Sequence, residues 1–343
     1  MIEFPELTER PSAGTAATTS IGSRPKARLS MADRVFALVA HGSGVTVLLI
    51  MGLVGLFLAA RAGQALSKAG FAFFTTQAWE PDSGDFGIAG ILTGTILIGV
   101  FAIMMATPFA IATALYISEY APTKLKRSFV SLVDLMAAVP SVVYGLWGAF
   151  FLQEHAVGAL NWVATYLGWI PFLSVPGHDS RDPLASPTDL KSSTFLAAMV
   201  VAMMVTPIAS SVMREAFSQA PAGERESAYA LGATRWGMIR AVVLPYGRGA
   251  IIGGTMLGLG RALGETITVT MIISPVFVIQ PHVLEKGAIS VSSLIALRYG
   301  EASDFGLSAL FAAGLALFLM TMAVNFIASI IVSRSRSGSA SEG

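Results

Sequence analysis

Residues 225–265 open with Arg225-Glu226-Ser227-Ala228-Tyr229-Ala230-Leu231-Gly232-Ala233-Thr234. They pass through Val242-Val243-Leu244-Pro245 and close with Leu259-Gly260-Arg261-Ala262-Leu263-Gly264-Glu265. The first half is charged and broken by glycine, whereas residues 249–274 are almost free of charge apart from Arg261 and Glu265. This is the pattern of an aqueous loop running into a membrane span that keeps two ionisable groups. Such groups are costly inside a bilayer and mark a pathway or a buried pair.

Working outward, the whole chain fits that reading. It has 343 residues, 54% hydrophobic and 13% charged, with a mean hydropathy of +0.68; soluble domains carry about twice that share of charge. A formal net charge of +1 gives no global attraction to nucleic acid. The absence of cysteine excludes disulfides, thiolate metal sites and cysteine nucleophiles, and the 4 histidines are scattered. The first thirty or so residues are rich in Ser, Thr, Pro and Arg and read as a disordered tail (1–34) without a signal-peptide pattern.

A spanning helix needs about 20 mostly apolar residues, and by that criterion about six stretches qualify. They lie near 36–60, 88–117, 129–152, 195–213, 249–274 and 305–332. Residues 156–173, with Trp162, Tyr166 and Trp169, read as an interfacial or re-entrant segment outside that count. Basic residues gather in the N-terminal tail, at Lys124, Lys126 and Arg127, at Arg214, Arg225, Arg235 and Arg240, and at Arg334 and Arg336. Acidic residues occupy the alternate connections, so both termini are expected in the cytoplasm, with a permease domain over 35–333, a cytoplasmic loop over 214–248 and a tail over 334–343. Pro108, Pro140 and Pro207 mark kinks.

No catalytic constellation is present. No lysine follows a glycine, so there is no Walker A loop, and neither a zinc-protease helix motif nor a Gly-x-Ser-x-Gly elbow occurs. In the loop, Pro221 opens a short helix that Gly232 ends, and Thr234 caps a second one, residues 235–244, halted by Pro245. Tyr229, Leu231, Trp236 and Met238 beside Glu226 and Arg235 give these two helices a mixed surface suited to docking.

Glu226-Ser227-Ala228, Gly232 and Val242-x-Leu244-Pro245 resemble, at matching spacing, the "EAA" loop of ABC importer membrane subunits, with Ser227 replacing the usual alanine. Leu259-Gly260-Arg261-Ala262-Leu263-Gly264-Glu265-Thr266 is similar to the Arg-Ala-x-Gly-Glu-Thr signature of phosphate importer permeases. Val139-Pro140-Ser141-Val142-Val143-Tyr144-Gly145, and Trp79-Glu80-Pro81 followed by Phe86-Gly87, resemble further motifs of that family, nearer its PstC than its PstA type.

The resemblance implies an all-α polytopic permease of the type I ABC importer fold in a prokaryotic cell membrane. It also implies separate ATP-binding subunits docked on the loop at Glu226, Ser227, Ala228, Gly232, Leu244 and Pro245, a second homologous permease and an extracytoplasmic phosphate-binding protein. No cofactor or catalytic residue is expected in this chain. Arg261 and Glu265, four residues apart, are expected on one helix face, with Thr266 beside them, Arg261 meeting phosphate and Glu265 holding or releasing the arginine. A structural pair locking the fifth helix, an ion-coupled anion transporter, a non-transporting scaffold, and another oxyanion such as sulfate or molybdate are the competing readings. Thr268 and Thr270 are expected to bond their own backbone, Asp134 to serve the pathway or a contact, and Glu119 to be an interfacial charge near Lys124 and Arg127.

Overall fold

The computed structural model describes residues 30–176 and 190–336. The expected N-terminal tail falls outside these residues up to 29, as do 337–343 and part of the connection after the third stretch. The chain divides into two compact units, 1–53 and 54–343, with the boundary inside the first helix. That helix, α1 (Met31–Ala69), starts earlier and ends later than hydropathy alone indicates. In the first unit its side chains, among them Phe36, Leu38 and Leu48, are exposed.

The second unit is built on α2 (Ala89–Leu115) and α6 (Thr194–Ser218), which pack along one another more extensively than any other pair. Part of the closeness is written in the sequence: Ala102, Ala106, Ala110 and Ala114 recur in steps of four, are all buried and share cores with α6 residues such as Val201 and Met213, while Gly90 and Gly94 in the same row admit the backbone at 277–278 and 289. Small residues in one helical row let backbones approach where lipid offers no competing hydrophobic force. Pro108 and Pro207 sit inside these helices without ending them.

The third stretch behaves differently. Helix α3 (Thr123–Ala138) stops at Val139, whose backbone is extended (φ −62°, ψ 128°), because Pro140 bars the helical conformation before it. After an 86° bend, α4 (Ser141–Trp147) continues through a π turn, Gly148–Leu152, into α5 (Gln153–Leu167). Residues 156–167 therefore continue the helix that begins at Ser141, and with α3 they make either a broken span or a re-entrant loop, the second being the re-entrant reading of the sequence. Gln153, the first residue past the apolar stretch 129–152, is accommodated inside the helix because its amide donates to the Ile272 carbonyl at 2.7 Å.

The loop and fifth stretch comprise α7 (Ala222–Ala230), α8 (Arg235–Met238), a π turn Ile239–Val243, α9 (Leu244–Tyr246), α10 (Arg248–Leu263) and α11 (Ile267–Ile272). A 66° bend separates 235–246 from α10. Pro245 does not halt the second loop helix; it sits in the first turn of α9, where a missing N–H costs nothing, and Gly247 makes the bend against the Phe217 ring. The chain then runs irregularly through 273–290 before α12 (Val291–Arg298) and α13 (Asp304–Arg336).

Among the described residues four helices are long and apolar enough to cross a membrane, and up to six spans result if each bent pair counts as one. A short antiparallel pair, β1 (Trp79–Glu80) and β2 (Asp85–Phe86), turns at Gly84 (φ +89°). Its Trp79 and Phe86 join Phe73, Ile88, Leu294 and Leu310 in a core that braces the start of α2.

Candidate functional site: a broken span and its loop

The loop is built from two capped helices. Gly232 takes the left-handed conformation (φ +83°). Its N–H donates to the Tyr229 carbonyl at 2.9 Å, and the Ala233 N–H donates to the Ala228 carbonyl at 3.0 Å, which together satisfy the end of α7. The Thr234 hydroxyl oxygen accepts the Gly237 N–H at 3.2 Å and opens α8. Glu226, Tyr229, Leu231 and Trp236 face outward, Leu231 at 89% exposure. Ser227 turns its hydroxyl back to the Gly223 carbonyl at 2.8 Å. Ala228 and Leu244 lie inward against a core containing Met213, Phe217, Met238, Ile239 and Val243. The loop thus has an anchored apolar underside and a free mixed upper face; Met238, expected on that face, is buried.

Glu119 differs from its expectation. Its side chain is mostly covered and pairs not with Lys124 or Arg127 but with Arg225 of α7 at 2.9 Å. Asp134 lies 3.9 Å from Arg214 of α6.

The fifth stretch breaks where the sequence signature lies. Helix α10 ends at Leu263 and α11 begins at Ile267, so Arg261 and Glu265 do not share a helix face. They form no ion pair. Arg261 is exposed at the end of α10, while Glu265 is buried at 8% exposure. One oxygen of the Glu265 carboxylate contacts the Thr268 hydroxyl at 2.9 Å and accepts the Thr268 N–H at 3.3 Å, so this side chain caps α11. Thr270 bonds its own helix, donating to the Thr266 carbonyl at 2.7 Å. Thr268 does not; its hydroxyl lies between Glu265 and the Ser141 carbonyl, 3.1 Å away. The Thr266 hydroxyl donates to the Gly264 carbonyl at 3.3 Å.

Non-helical backbone at membrane depth persists only where protein or a cavity satisfies it. Here Ser292 donates to the Glu265 carbonyl at 2.7 Å and Ser293 to the Thr266 carbonyl at 3.2 Å. Ser290 caps α12, accepting the Ser293 N–H at 3.2 Å. In turn the Val291 N–H donates to the Thr95 hydroxyl oxygen at 3.0 Å, fixing this serine helix to α2. The break in the third stretch abuts the same place: Gly145 brings α4 to within 3.2 Å, measured from a Cβ position, of the Thr268 Cα. The Tyr144 hydroxyl reaches across the Pro140 break to the Met136 carbonyl at 3.0 Å.

Two interrupted spans therefore meet beside one exposed arginine. The serines at 290, 292 and 293 were missed in the sequence because they lie between apolar stretches; the available signal was a capping serine before Leu294-Ile295. Asn325 of α13, whose amide oxygen lies 3.5 Å from a Cβ position on Gly260, is a further polar neighbour of the α10 terminus.

The comparisons with known proteins agree with this architecture. Residues 106–337 match the family model described as binding-protein-dependent transport system inner membrane component. The chain is 36% identical over 319 residues to phosphate transport system permease protein PstC 2 of Mycobacterium tuberculosis, covering 92% of this chain and 95% of the relative. It is 38% identical over 304 residues to phosphate transport system permease protein PstC of Mycobacterium leprae, covering 87% and 92%. A chain of a bacterial alginate ABC transporter, solved with an alginate pentasaccharide-bound periplasmic protein, has the same fold at a TM-score of 0.57 and 17% identity, over 88% of this chain and 95% of that one. The chain is a multi-pass membrane protein that belongs to the family of binding-protein-dependent transport system inner membrane components, with PstC permeases among its relatives.

Proposed function

We propose that the chain is one of two homologous permease subunits of an ATP-driven importer of inorganic phosphate, and that it forms the pathway by alternating access. The observation that carries this reading is Arg261, a guanidinium without a hydrogen-bond or ion-pair partner among the described residues, set at the interruption of an apolar span. A guanidinium is always charged and presents forked donors that match a tetrahedral oxyanion. The absence of an Arg261–Glu265 ion pair weighs against the arginine being structural glue. The resemblance to PstC permeases favours phosphate over sulfate or molybdate.

In this reading both termini and the loop face the cytoplasm, in keeping with the basic residues there. Separate ATP-binding subunits dock on the outward face of α7 and α8, around Glu226 and Leu231, and an extracytoplasmic phosphate-binding protein delivers the substrate. ATP hydrolysis belongs to those partners. Glu265 fixes the backbone of the break and leaves the Arg261 charge uncancelled; Thr266 lies on the same turn.

The test is uptake of labelled phosphate and labelled sulfate by the complex reconstituted in vesicles, with and without ATP. Phosphate uptake that needs ATP is expected. ATP-driven sulfate uptake in its place removes the substrate assignment, and uptake indifferent to ATP favours an ion-coupled transporter. A second expectation concerns docking. Leu231→Asp puts a charge at the most exposed apolar side chain of the loop while leaving the core untouched. It is expected to weaken retention of the ATP-binding subunits by about tenfold or more, on the scale of an interface hot spot; unchanged copurification removes Leu231 from that contact.

A further inference from the structure

We propose that Arg225 and Glu119 form the joint through which movement of the loop reaches α2 and α6, and that they are positioning residues for energy coupling; this rests on the importer reading above. One guanidinium meets four acceptors. Its Nη1 donates to both carboxylate oxygens of Glu119 at 3.0 and 2.9 Å. Its Nη2 donates to the Phe217 carbonyl at 2.6 Å, and its Nε to the Ala220 carbonyl at 3.1 Å. Phe217 is in the last turn of α6 and Ala220 lies just beyond it; the Phe217 carbonyl already accepts the Ala220 N–H at 3.3 Å, and the guanidinium adds a charged donor at that helix end. Glu119 sits in the π turn, Tyr116–Tyr120, that finishes α2, with 5% of its side chain exposed. A single side chain of α7 thus fastens three elements.

A second arginine repeats the attachment from the other half of the loop. Arg235 of α8 lies over the Tyr120 ring at 5.1 Å. The two loop helices therefore hold adjacent residues, Glu119 and Tyr120, at one end of α2. At the other end of the same helix Thr95 holds Val291, and the next two residues, Ser292 and Ser293, hold the carbonyls of the break. Helix α2, continuous through Pro108, joins the two attachments.

Stability alone does not account for this pair. Apolar residues of similar volume often hold an interior as well as a buried ion pair does, and Met213, Met238, Ile239 and Val243 already form such a core beside it. Those apolar surfaces can slide over one another. Four directional bonds to one planar group cannot, so they pass a displacement of α7 on to α2 and α6.

The test uses the full complex in vesicles, with Glu119→Gln and Arg225→Lys measured separately. The readouts are phosphate moved per ATP hydrolysed, acceleration of hydrolysis by the binding protein, and retention of the ATP-binding subunits. With retention unchanged, both variants are expected to lower phosphate moved per ATP by about tenfold, the scale of an allosteric coupling. An unchanged ratio in either variant overturns the joint. So does a proportional fall of uptake, hydrolysis and retention, which marks a merely structural pair. Arg225→Lys keeps the charge on the Glu119 carboxylate and serves where Glu119→Gln does not assemble. A wild-type complex that hydrolyses ATP without moving phosphate refutes the substrate reading alone. The joint is then judged by the binding protein's acceleration of hydrolysis, expected to be lost in the variants and overturning the joint if it persists.

Discussion

Arg261→Ala is expected to abolish phosphate uptake while leaving the subunit folded and assembled. The expectation follows from where the side chain stands. It is exposed at the end of α10 and bonded to no described residue, so its loss empties no core and strands no buried partner. What disappears is a set of charge-assisted donors for an anion. Each such bond is worth about 1.5–3 kcal/mol, so losing two lowers uptake at least about 100-fold. Arg261→Lys restores charge but not the forked geometry and is expected to recover only part of the rate. The check is initial uptake rate set against ATP hydrolysis by the same vesicles; uptake within about twofold of wild type, well under one such bond, removes Arg261 from the pathway.

Gly94→Val is expected to have an effect of similar size by a different route. A Cβ on Gly94 would lie 2.3 Å from the Ile289 carbonyl oxygen, a backbone atom that cannot rotate aside. Residues 289–291 lead directly into the serine helix, and neighbouring Thr95 holds Val291. Displacing this segment pulls Ser292 and Ser293 away from the carbonyls of Glu265 and Thr266. Overpacking costs about 1–3 kcal/mol before those bonds are counted, which corresponds to a fall in melting temperature of several degrees. Transport is expected to fall further than stability, because the break itself is disturbed. Thermal unfolding in detergent and uptake in vesicles measure the two; a variant with wild-type melting and transport shows that the segment at 289–291 has room to move.

Much of this was written in local sequence. Gly232 and Thr234 announce the ends of the loop helices because their chemistry is local, a left-handed turn in one case and a side-chain cap in the other. The apolar stretches announce spans by length. What hydropathy missed was long-range. Gln153 looks like the end of a span until its amide meets Ile272, and Pro140 looks like a kink until the bend proves to be 86°. Arg261 and Glu265 look like neighbours on a helix, but Gly264 and the two serines of α12 open the backbone between them. Glu119 and Arg225 are 106 positions apart, and nothing near either residue in the sequence names the other.

The most direct test of the account is a structure of the assembled complex trapped with substrate in the pathway. Phosphate within hydrogen-bond distance of Arg261, beside the interruption at Gly264-Glu265-Thr266, is the predicted result. Phosphate crossing elsewhere, with Arg261 facing lipid or paired to a carboxylate of the second permease, would contradict it.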